Sequence, residues 1–188
     1  MGLLDIVLLV VALAVAALTF TRSPFITVAE IAACYVAATL AGLLYRPLAA
    51  IIPATLLPAT ARATLELGVF VALLLGGSVL LRRVGRRVGG LIPNPGWLTG
   101  PIFPALSALS AALFALVVVL VTVLLVAAVA QMPSDAGLPS LARAQLAQSA
   151  FLPRLSVPLA VFLALVGIWS GGILPPVYAD LIYIFSPS

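Results

Sequence analysis

Hydrophobic positions in this chain come in blocks rather than at intervals. Leu3 to Phe20 is interrupted only by Asp5 and Thr19, and shows neither the period-two alternation of a half-buried strand nor the polar stripe of a surface helix. At 1.5 Å per residue, eighteen helical residues nearly cross a hydrocarbon core of roughly 30 Å. Similar blocks recur, and the pattern predicts membrane-spanning helices over 3–20, 24–45, 62–81, 107–131 and 158–174. The first run opens with Asp5 instead of a basic leader, so it is expected to be a retained span and not a signal peptide.

The punctuation between blocks is specific. Thr21-Arg22-Ser23-Pro24 predicts a tight turn, since proline disfavours helix in the residue before it and is at home in a first helical turn. Pro47, Pro53 and Pro58 divide 46–61 into a short interfacial or re-entrant element. Arg82, Arg83, Arg86 and Arg87 form a membrane-flanking basic cluster that closes the third span as a stop-transfer signal, and the loop 89–104 carries Trp97, an interfacial side chain. The polar stretch 132–157, with Leu141 and Leu146, predicts a short amphipathic helix in the interface. Trp169 anchors the fifth span, and Pro175-Pro176 ends it. The tail holds Tyr178, Asp180, Tyr183 and Phe185 and reads as an aromatic interfacial segment. The expected fold class is therefore all-α: one polytopic transmembrane helical bundle of four to five spans plus short interfacial helices. Small residues recur within the second span, at Ala33, Ala37, Ala41 and at Ala38-Gly42, and at Ser107, Ser110 and Ala111 in the fourth; such spacing lets helix backbones approach closely in lipid.

Composition supports the same solvent. Of 188 residues, 64% are hydrophobic and 7% charged, against about a quarter charged in a soluble domain. Nine basic and five acidic side chains are too few to cover a water-soluble surface of this size. All the basic residues are arginine. Their one cluster follows an apolar run, which points to anionic lipid headgroups and away from nucleic acid. With five spans, Arg22 and the cluster of four lie on one side and Arg46, Arg62, Arg143 and Arg154 on the other. The density of the cluster favours an external amino terminus and an internal carboxyl terminus.

Candidate chemistry is sparse. The chain lacks histidine and lysine, and Cys34 is its only cysteine; this removes the commonest general base, a P-loop lysine and a cysteine metal cluster. No catalytic residue, cofactor or metal site is expected. Glu30 falls within the second span, where an ionisable side chain is a functional candidate by default, although its nearness to the helix amino terminus favours structural pairing. Arg62 and Glu66 stand at i and i+4 and predict an ion pair. A proton relay through Asp5, Glu30 and Glu66 requires the three to lie at matching depths. Cys34 reads as a small packing residue.

Several landmarks, taken in order, resemble the colicin V production protein (CvpA-like) family of small bacterial membrane proteins. They are Leu4-Asp5-Ile6-Val7 opening the first helix, the basic turn at Arg22, a helix with Glu30 ending in Leu44-Tyr45-Arg46-Pro47-Leu48, a helix closing in Leu80-Leu81-Arg82-Arg83-Val84-Gly85, and Ser149-Ala150-Phe151-Leu152 after the fourth span. The resemblance covers most of residues 3–155; the fifth span and tail are extra. It implies a multi-pass protein of the bacterial cytoplasmic (inner) membrane, non-enzymatic and linked to colicin V export and envelope maintenance, with no active site to carry over. Two other readings remain open. One is an accessory, cofactor-free subunit of a respiratory or photosynthetic electron-transfer complex; the other is a small transporter or channel using Glu30. The expected partners are the lipid bilayer and other membrane-protein subunits or further copies of the chain.

Overall fold

The computed structural model describes residues 2–52, 58–92, 100, 102–133, 137–170 and 177–179, the side chains of 59 and 169 excepted. Its elements are α1 (Leu3–Phe20), α2 (Pro24–Ala49), α3 (Ala59–Gly90), α4 (Ile102–Ala130), α5 (Leu138–Ala147) and α6 (Leu152–Trp169). Among the described residues all regular structure is helical. The first four helices are each long and apolar enough to cross a membrane. A fifth crossing exists only if α5 and α6, bent by 104° across the residues between them, count as one broken span.

The outer surface identifies the solvent. Leu3, Ile6, Val10, Leu13 and Leu18 of α1 all point outward and are exposed, where a water-soluble bundle would carry charge. Apolar side chains facing out on helices that satisfy their own backbone groups are what hydrocarbon requires. The class of protein is thus an all-helical, polytopic membrane protein.

α4 is the central helix. It packs against α1, α2, α3, α5 and α6, and Phe114, Val123, Leu124, Ala127 and Ala128 are fully enclosed. This agrees with its being the most apolar of the blocks. α2 and α3 form the closest pair. A Cβ built on Gly77 would lie 3.5 Å from the Ala37 Cβ, one on Gly85 2.7 Å from the Ala29 carbonyl oxygen, and one on Gly89 2.7 Å from the Ile26 Cα. Positions rise along α3 as they fall along α2, so the two helices are antiparallel. Ala33, Ala37, Ala38 and Ala41 are all buried, and Ala33 and Ala37 lie against Gly85 and Gly77 of α3 as the small-residue spacing predicts. Ser107, Ser110 and Ala111 are likewise buried, and Ser107 Oγ donates to the Arg22 carbonyl at 3.3 Å. That contact sets the start of α4 beside the end of α1.

Several boundaries differ from those read in the sequence. α2 does not stop at Tyr45 but runs through Pro47 to Ala49: a proline in the final turn removes one hydrogen bond near an end where little helix remains to disturb. α3 continues from Leu81 through the arginines to Gly90, about 48 Å in all, because arginine is a good helix former and α2 packs along Gly85 and Gly89. The expected amphipathic helix is α5. α6 begins at Leu152, ahead of Pro158. Tyr178 is not interfacial: it is fully buried, donates to the Ala38 carbonyl oxygen at 2.6 Å and meets Phe70 edge-on. The expectations for 53–57, Trp97, the Trp169 side chain, Asp135, Pro175-Pro176, Asp180, Tyr183 and Phe185 lie outside the described residues.

Candidate functional site

Two buried carboxylates organise the polar chemistry of the bundle, one at each end. The first, Glu30, is 0% exposed. It occupies the second turn of α2, where Pro24 in the first turn and the turn at Thr21-Arg22-Ser23 fix the direction of the helix. From α3, Arg86 Nε donates to Glu30 Oε1 at 2.8 Å, and from the turn Arg22 Nη1 lies 3.4 Å from both carboxylate oxygens. The same glycines that bring α3 against α2 flank Arg86, so backbone packing and ion pairing share one register. At 2.8 Å the Arg86 bond is of the strong, charge-assisted kind, and with the longer Arg22 contact it meets the need of a carboxylate withdrawn from water.

Glu30 therefore faces neighbouring helices and arginines. Arg62 and Glu66 do form the expected pair, at 3.2 Å and partly exposed, yet at the opposite end of α3 from Arg86. The cluster of four arginines is divided by its helical face. Arg86 serves Glu30, Arg82 places its guanidinium 4.8 Å from the Phe114 ring centroid as a cation–π contact, and Arg83 and Arg87 are exposed, with no carboxylate partner among the described residues.

The second carboxylate, Asp5, is 0% exposed and has no cation beside it among the described residues. Its Oδ2 accepts the Gly2 N–H at 2.9 Å and the Ala150 N–H at 3.1 Å, and its Oδ1 accepts the Phe151 N–H at 3.4 Å and the Ser149 hydroxyl. Ser149 Oγ in turn accepts the Leu152 N–H at 3.3 Å. Asp5 thus caps its own helix and, across 144 residues, the amino terminus of α6. Two helix dipoles converge on the carboxylate and favour its charge. Gln145 Oε1 accepts the Leu4 N–H at 3.1 Å, while Arg143 donates to the Ala130 and Met132 carbonyls at 2.7 and 2.8 Å, satisfying orphan groups at the end of α4. The short α5 thereby ties the ends of α1 and α4 together.

A three-acid relay does not assemble. Asp5 lies at the start of α1, and Glu30 binds Arg22 just past its end, so the length of α1, about 27 Å, separates them. Nothing in one sequence paired Asp5 with Ser149, Glu30 with Arg86, or Tyr178 with Ala38. The faint signals were the Gly77, Gly85 and Gly89 spacing on α3 and the alternation of glycine with arginine. Cys34 is buried between helices.

Asp5→Ala is expected to lower the stability of the bundle by about 1–2 kcal/mol, since several donors lose their acceptor near one interface. Ser149→Ala should cost less, because the backbone N–H donors remain. Detergent unfolding of the purified chain followed by circular dichroism measures both, and equal effects would contradict this division of roles.

Compared with known protein families, curated proteins and solved structures, the chain matches none.

Proposed function

We propose that this chain is a non-enzymatic, CvpA-like integral membrane protein that acts in secretion or envelope maintenance in a bacterial cytoplasmic membrane. The observation that carries the reading is the Asp5 site. Leu4-Asp5-Ile6-Val7 and Ser149-Ala150-Phe151-Leu152, the first and last segments of the resemblance, meet there as one buried hydrogen-bonded unit. The contact joins the start of α1 to the start of α6, which is the support this reading has in the fold. The outward apolar faces fit that role: a lipid-facing bundle that presents helix surfaces to neighbours within the bilayer. The arginine end of α3 faces the cytoplasm by the positive-inside rule, leaving the amino terminus external.

A transporter using Glu30 is less favoured, because its carboxylate is enclosed by Arg86, Arg22 and packed helix backbone instead of a polar midplane gap. The accessory-subunit reading fits the same outward faces and is separated from the first by its company. Mild-detergent extraction from the native membrane, native gel separation and mass spectrometry of what co-migrates provide the test. Migration alone, as a homo-oligomer or with envelope and secretion proteins supports the proposal. Stoichiometric co-migration with redox subunits overturns it in favour of the accessory role.

A further inference from the structure

The arginine end of the bundle is electrostatically lopsided. Arg22, Arg82, Arg83, Arg86 and Arg87 gather there, while Glu30 is the one acid at that end among the described residues. Glu30 is shared by Arg22 and Arg86, and Arg82 is turned inward over Phe114. Arg83 and Arg87 are left, one helical turn apart on one face and both exposed; side chains at this spacing are neighbours on a helix.

What lies beneath them on the same face is apolar and open. Gly76, Leu80, Arg83 and Arg87 are spaced four, three and four residues apart, so they form one stripe along α3, on the side opposite the Gly85 and Gly89 packing against α2. Leu80 is 62% exposed, and a Cβ on Gly76 would meet nothing within 4 Å. Val84 and Val88 flank the stripe and are more than half exposed. Two guanidinium forks above a glycine-floored apolar track have the amphiphilic order of a phospholipid: charge at the end of the helix, hydrocarbon toward its middle. Planar guanidinium groups match phosphate oxygens better than point charges do.

We propose that Arg83 and Arg87 bind the phosphate of an anionic phospholipid whose acyl chain lies along Leu80 and Gly76. This site requires only that α3 cross a bilayer and is independent of the CvpA-like reading. Arginines that merely extended into a hydrated headgroup layer would attract anionic lipid diffusely, with no single molecule held at fixed stoichiometry and no loss confined to Arg83 and Arg87.

The test is native mass spectrometry of the full chain in mild detergent, titrated with phosphatidylglycerol or with phosphatidylcholine of the same acyl chains. The expected result is one phosphatidylglycerol retained in preference to phosphatidylcholine. Affinity should fall roughly 30-fold in Arg83→Gln/Arg87→Gln, at about a factor of five per arginine, and change little in Arg46→Gln/Arg154→Gln at the other end. Arg83→Lys/Arg87→Lys should fall between the two, since it keeps the charge and loses the planar fork. Equal retention of the two lipids overturns the proposal without recourse to any variant, as does an equal loss in Arg46→Gln/Arg154→Gln. Displacement of the lipid by inorganic phosphate as readily as by excess phosphatidylglycerol would assign the site to a free anion and overturn the lipid assignment.

Discussion

Arg86→Leu is expected to destabilise the bundle by about 2–3 kcal/mol, more than any other single charge removal. Orphaning a buried charge costs about 3–5 kcal/mol when no partner remains. Here Arg22 stays within 3.4 Å of Glu30, and the Arg86 side chain is itself 51% exposed, so the effect falls below that range. The asymmetry is the sharper expectation. Glu30→Gln removes the buried charge and leaves two arginines that can reach headgroups or water, so it should cost less than Arg86→Leu. The double variant Glu30→Gln/Arg86→Leu should recover at least half of the loss of Arg86→Leu alone. Reversible detergent-induced unfolding of the four proteins, in one lipid-detergent mixture, measures the cycle. If Arg86→Leu is neutral within about 0.5 kcal/mol, the size expected of an ordinary surface substitution, Glu30 is not the buried, arginine-dependent carboxylate described above.

Gly85→Ala and Gly89→Ala should each cost about 3 kcal/mol, the upper end for overpacking a well-filled interface. The added methyl meets the Ala29 carbonyl oxygen or the Ile26 Cα at 2.7 Å. Both are backbone atoms, which no rotamer change can move aside. Relief requires α2 and α3 to separate, and this also stretches the Arg86–Glu30 contact, so the Gly85 and Arg86 effects are expected to be non-additive. Two glycines of the same helix that no neighbour crowds provide the control. Gly68→Ala and Gly76→Ala meet nothing within 4 Å and should be neutral, or stabilising by about 0.5–1 kcal/mol through backbone entropy. A uniform response at all four positions would mean that helix propensity, and not the α2–α3 approach, governs these sites.

Much of the architecture was determined by the sequence alone. A chain with apolar blocks about as long as a bilayer is thick, and few charges between them, has to place those blocks in lipid as helices, because no other unbranched element satisfies its own backbone there. The turn at Arg22, the amphipathic α5 and the close-packing face of α2 followed from local chemistry: a proline, an interrupted polar stretch, alanines spaced by four. The Arg62–Glu66 pair is intrahelical and needed nothing else.

What only the tertiary structure decided is which helices meet and in what register. Apolar faces are interchangeable in lipid, since hydrocarbon competes equally for all of them, so the periodicity of α1 and α4 holds no information about their neighbours. The carboxylates show the consequence. Asp5 reads in sequence as an ordinary first-turn acid and proves to cap α6 from 144 residues away; Glu30 reads as a lone intramembrane charge and proves to be held by Arg86, 56 residues on. Their partners are fixed by backbone approach at Gly85 and Gly89 and by the fold of α5 over the ends of α1 and α4. Those are contacts between surfaces, and no pattern along a single strand of residues contains them.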